Sequence, residues 1–102
     1  MSAVREERAE HEMRLDPRHF QRMKSGHKTI ELRLLDEKRR RIRVGDRIRF
    51  TDNVGGGTLL TQVTALHRFP DFAALYRALP LGQCGYTEEE LAGASPADME
   101  RY

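Results

Sequence analysis

The stretch KTIELRLLDEKRRRIRVGDRIRF, residues 28–50, decides the fold. Its first part alternates. Ile30, Leu32 and Leu34 share one parity, and Thr29, Glu31 and Arg33 share the other, which predicts a half-buried strand over 28–35. The charged run 36–41, DEKRRR, reads as a connection. Beyond it Ile48 and Phe50 face one side and Arg47 and Arg49 the other, after a turn signalled by Gly45-Asp46.

Outward from this segment the elements are short. HEMRL, residues 11–15, predicts a first strand. Asp16-Pro17 opens a helix over about 17–24, with Asp16 as cap and Ser25-Gly26 as its end. On the C-terminal side, Asp52-Asn53 and Gly55-Gly56-Gly57 mark a hairpin end, followed by one long strand over about 58–69. Asp71 starts a helix whose stripe is Phe72, Leu75, Tyr76 and Leu79, and PLGQCGY is a loop. Thr87 and Glu90 fit a capping box over a short helix to about Leu91, and Ser95-Pro96-Ala97-Asp98 repeats that logic at the end of the chain. The expected architecture is α+β and mainly β: a small antiparallel barrel with short flanking helices. Residues 1–10 read as a flexible leader and 11–102 as the one domain.

Composition narrows the function classes. The 102 residues hold 18 basic and 16 acidic side chains, and no run of about 18 apolar residues is present to span a membrane. The N-terminal residues lack the apolar core of a secretory signal. One cysteine, Cys84, has no internal partner and reads as a small packed residue. His11, His19, His27 and His67 have no metal-ligand spacing, so neither a metal nor a cofactor is expected. The expected setting is a reduced, cytoplasmic one.

Charge is unevenly spread. Lys38, Arg39, Arg40, Arg41, Arg43, Arg47 and Arg49 stand against the single acid Asp46. A field of that sign attracts polyanions. The other polar constellation is Gly26-His27-Lys28-Thr29-Ile30-Glu31-Leu32-Arg33. Lys28 follows the turn at Gly26 and is long enough to reach Glu31. If this row faces a cleft, burial is tolerable only through mutual pairing, and the row keeps a net positive charge. By spacing alone it reads first as a solvated ladder of ion pairs, each worth under about 1 kcal/mol.

These residues carry a family likeness. Gly26, Lys28, Glu31 and Arg33 form G-x-K-x-x-E-x-R, and with the following G-D-x-I-x-F and the stretches FPDFAALY, CGYTEEEL and SPADMERY the chain resembles ASCH domains over about residues 11–102. The resemblance implies a PUA-like barrel with a cleft lined by Gly26, Lys28, Thr29, Glu31 and Arg33, and a role in binding RNA, a nucleotide or a nucleoside. In that setting Lys28 and Arg33 are anion contacts, Glu31 reads a base donor and orients Lys28, and Arg39, Arg40, Arg41, Arg43, Arg47 and Arg49 extend a track for the RNA backbone. Tyr86 is a candidate for base stacking.

The resemblance also implies a rival reading, a small enzyme modifying nucleic acid. Some family members are amidohydrolases of an acetylated cytidine that use a Lys and a Thr nucleophile from this segment. Here Glu31 stands at the Thr position, and a carboxylate is a poor replacement for a hydroxyl that must be acylated. Others are described as ribonucleases, for which Glu31 or His27 with Lys28 would supply the residue types. Family members usually continue into a last barrel strand not found before Tyr102, so an open edge and a homodimer by edge-strand pairing are expected.

Overall fold

In the computed structural model the described residues are 9–101. The elements run β1 (Glu10–Leu15), α1 (Pro17–Lys24), α2 (Glu37–Arg40), β2 (Arg47–Asp52), β3 (Thr58–Gln62), α3 (Phe72–Ala78), α4 (Glu88–Leu91) and a closing 3-10 helix (Pro96–Arg101). Most of the expected leader, residues 1–8, lies outside the described residues, and Glu10 already belongs to β1.

The strands form an open sheet ordered β1-β2-β3. β2 is central because Ile48 and Phe50 both point into the core, at 9% and 2% exposure. Burying Phe50 alone contributes roughly 2–3 kcal/mol of apolar transfer. β3 runs antiparallel to β2, from Arg47 opposite Gln62 to Thr51 opposite Thr58. Asp52 Oδ1 makes their hairpin by accepting from the amides of Val54 and Gly55.

The sheet departs from the expected, mostly antiparallel barrel in two ways. β1 pairs parallel with β2, from Glu10 opposite Arg47 to Leu15 opposite Asp52. Parallel neighbours need a long crossover, and residues 16–46 supply it. Among the described residues the sheet also does not close, so the α+β class stands, but the expected mainly-β barrel gives way to an open sheet of three strands with four short α-helices and a 3-10 helix.

The predicted strand over 28–35 is not a strand. Its amides are satisfied elsewhere: Lys28 N–H by the Arg22 carbonyl, Thr29 and Ile30 N–H by the Gln83 carbonyl, and Leu32 N–H by Glu31 Oε1. Leu34 is 66% exposed, because the chain turns there towards α2 instead of continuing the alternation. The charged connection holds one helical turn, capped by Asp36, which accepts from Arg39 N–H at 2.9 Å. The predicted long strand 58–69 ends its ladder at Gln62, where Val63 leaves to bond the backbone of Gly45 and Asp46.

Two apolar clusters result. Met13, Leu15, Phe20, Ile42, Ile48 and Phe50 join the sheet to α1. Leu32, Leu75, Cys84 and Met99 join the 28–34 segment to α3, the CGY loop and the 3-10 helix. Asp46, fully buried, ties the first cluster's edge: it accepts from Arg43 N–H, from Ala9 N–H, and pairs with His11 Nε2 at 2.8 Å.

Candidate nucleic-acid interface

A cleft of about 640 Å³ opens where the two clusters meet, in the size range of small-molecule sites. It is bounded by α1, the segment after Gly26, the CGY loop and the closing 3-10 helix. Gly26 (φ +85°) follows the C-cap of α1 and adopts a backbone that favours glycine; the chain reverses there and delivers Lys28 beneath the helix.

The Lys28 side chain is wholly buried. Its Nζ donates to Glu31 Oε1 at 2.9 Å and to His19 Nδ1 at 3.0 Å. Glu31 Oε2 in turn accepts from Arg33 Nε at 3.2 Å and Nη2 at 3.1 Å. Arg33 Nη2 is also anchored on the Arg14 carbonyl. Three of the residues predicted for the cleft are thus gathered into one cation–acid–cation row. Lys28 and Arg33 line the cleft, while Glu31 bridges them and is itself outside its lining.

His19 completes the row. Burial, and then the Lys28 charge, lower its pKa, so the ring is neutral at pH 7. Because an ammonium can only donate, Nδ1 is the acceptor and the ring proton sits on Nε2. Gly85 makes this packing possible. Its φ is +113°, and a Cβ there would meet Lys28 Cδ at 3.2 Å and His19 Nδ1 at 3.3 Å.

The remaining wall is polar. Tyr86 Oη donates to Asp98 Oδ2 at 2.5 Å and lies 2.7 Å from Tyr76 Oη. The two rings meet edge to face, with centroids 6.1 Å apart. Burial raises the pKa of both tyrosines, and of Cys84 nearby, so all three keep their protons at neutral pH. Arg22 spans from α1 to the Gly85 carbonyl at 2.7 Å and to Glu90 Oε1 at 3.0 Å. Glu90, which closes the α4 capping box and also meets Arg18, is held down to about 2, mainly by the Thr87 amide.

The chain belongs to the ASCH domain family. Its family model matches residues 10–101. Neither the curated proteins nor the solved structures contain a match.

Within this ASCH domain the other predicted residues are placed as follows. Thr29 is exposed, and its hydroxyl donates to Gln83 Oε1 at 3.3 Å, outside the cleft lining. Tyr86 lines the cleft, with its ring against Tyr76. The basic run does not join the cleft. Arg39 pairs with Asp36 and Arg49 with Glu10, and Arg40 at the end of α2, Arg41 at its C-cap, Arg43 in the connection to β2 and Arg47 at the start of β2 are exposed. Sequence reading missed His19, Arg18, Arg22 and Asp98 as cleft residues. The i, i+4 pair Arg18 and Arg22 was the available signal on α1. Asp98 offered none, because its place depends on the 3-10 helix folding back over Tyr86. No helix among the described residues is long and apolar enough to cross a membrane.

Proposed function

We propose that this ASCH domain binds RNA or a nucleotide in the cleft lined by Lys28 and Arg33, which Gly26 and Glu31, outside the lining, hold in position. The observation that carries this reading is the buried Lys28. An ammonium has three N–H donors, and the two acceptors that meet it among the described residues are Glu31 Oε1 and His19 Nδ1. The third donor suits a phosphate or carbonyl oxygen brought into the cleft, with Arg33 beside it. Glu31 acts here as a positioning residue: its oxygens hold Lys28 and Arg33 in place. The exposed arginines Arg40, Arg41, Arg43 and Arg47, with Arg39 and Arg49, supply sequence-independent attraction for a backbone that passes outside the cleft. The open sheet is, on this reading, a reduced form of the PUA-like barrel of the family.

Titration of the full chain with a short fluorescent single-stranded RNA at several KCl concentrations tests the reading. The log–log slope should be roughly −0.7 per phosphate contact. Lys28→Met should weaken binding on the order of tenfold or more, the worth of a charge-assisted hydrogen bond. Charge reversal at Arg40 and Arg41 should lower affinity for all sequences alike. Affinity that is flat with salt and indifferent to Lys28→Met would sink the proposal. Chromatography of the same mixtures separates binding from the enzymatic alternative: conversion of RNA or of N4-acetylcytidine that disappears in Lys28→Met would favour a nucleic-acid-modifying enzyme.

Homodimerisation is proposed through β3. It is an edge of the sheet and carries the exposed Leu60 at 44%. Sedimentation should show a dimer that a Leu60→Lys change disperses; a wild-type monomer at high micromolar concentration would remove the idea.

A further inference from the structure

The polar wall of the cleft has a direction. Tyr86 gives its only hydroxyl proton to the Asp98 carboxylate. The short contact between the two tyrosine oxygens then needs the proton of Tyr76, which donates to Tyr86. With every hydroxyl proton turned towards Asp98, Tyr76 Oη, at the end of the relay away from the carboxylate, meets any further group only as an acceptor. Such a chain is also polarised by its terminal carboxylate, which strengthens that acceptor.

The cationic groups of the cleft, which its lining shares with Asp16, Glu89 and Glu90, have the opposite character. Lys28, Arg33 and Arg22 carry only donors, and the Lys28 contact leaves His19 with its proton on Nε2. The two sets line one cleft, and Gly85, which packs on Lys28 and His19, is followed directly by Tyr86. A ligand that meets both sets accepts at one edge and donates at another.

We infer that the Tyr76–Tyr86–Asp98 relay is a base-selective wall, favouring a nucleobase with an exocyclic amine (adenine, cytosine or guanine) over uracil. This rests on the nucleotide-binding reading above and names the specificity of the same site. The chemistry is that of hydrogen-bond complementarity. An amine at the ring's rim donates to Tyr76 Oη while a ring nitrogen or carbonyl accepts from the cationic side. In uracil the one ring-edge donor, N3–H, is flanked by two carbonyl oxygens, which would face a wall of oxygen acceptors. A site built on placed polar groups rejects the mismatched partner because its own groups go unpaired.

Isothermal titration of the full chain with AMP, CMP, GMP and UMP tests this. The three amine-bearing nucleotides should bind at least about fivefold tighter than UMP, the worth of one net hydrogen bond. Tyr76→Phe keeps the ring in the core and removes the acceptor, so it should bring the three to within about twofold of UMP. Asp98→Asn is the second variant: its amide can donate to Tyr86, which lets the relay reverse, and the gap should narrow there too. Equal binding of all four nucleotides by the wild type overturns the inference, as does a gap that survives both variants. If all four bind equally and Lys28→Met abolishes binding, only the base selection falls. If none binds and RNA titrations ignore Lys28→Met, the cleft reading falls with it.

Discussion

Glu31→Ala is expected to cost about 3–5 kcal/mol of folding stability, the penalty of leaving a buried charge without its counter-ion. Lys28 is wholly buried and Glu31 is its one anionic partner among the described residues, since His19 is neutral. The double variant Lys28→Met/Glu31→Ala should recover most of that loss, because it removes the stranded ammonium together with the carboxylate; Arg33 keeps its bond to the Arg14 carbonyl. Urea unfolding of the two single variants and the double completes the cycle. A Glu31→Ala cost under about 1 kcal/mol would mean that the cleft hydrates Lys28 well enough to replace the pair, and the positioning role of Glu31 would be lost with it. The row is therefore a test of stability and of binding at once: the same ion pairs that make burial of Lys28 tolerable also hold its remaining donor ready for a ligand.

Gly85→Ala is expected to lose about 2–3 kcal/mol and to weaken ligand binding in the same variant. Two causes add. The backbone at φ +113° is strained for any residue with a Cβ, and that Cβ would press on Lys28 Cδ and the His19 ring. Gly26→Ala is the control. Gly26 has φ +85° with open space around its Cβ direction, so its cost should be the backbone part alone, about 1–2 kcal/mol. Thermal unfolding of both variants, with RNA titration of each, separates strain from crowding. Equal losses in stability and in affinity would show that contact with Lys28 and His19 at Gly85 has no consequence.

Much of the local structure was legible because it depends on neighbours in the chain. The Asp16-Pro17 start of α1, the Asp71 cap of α3 and the Thr87–Glu90 capping box all formed as read, since each pairs a side chain with the amide three residues on. The inward Ile48 and Phe50 of β2 followed from alternation. The same alternation misled at 28–35. There the partners of the backbone are the end of α1 and the Gln83 carbonyl, neither of which leaves a mark on the hydrophobic period. The parallel pairing of β1 with β2 was equally invisible, because a short strand does not encode the direction of its neighbour.

By itself the sequence determined the family signature, the helix caps, the basic excess between Lys38 and Arg49, and the reach of Lys28 to Glu31, all of them matters of residue type and short spacing. Only the tertiary structure decided that Lys28 is buried, that His19 accepts a hydrogen bond from it, and that Tyr76, Tyr86 and Asp98 join in one wall of a cleft which the arginine run does not enter. Those outcomes turn on which segments pack together. Packing is settled by the combined burial of two apolar clusters rather than by any one stretch of residues.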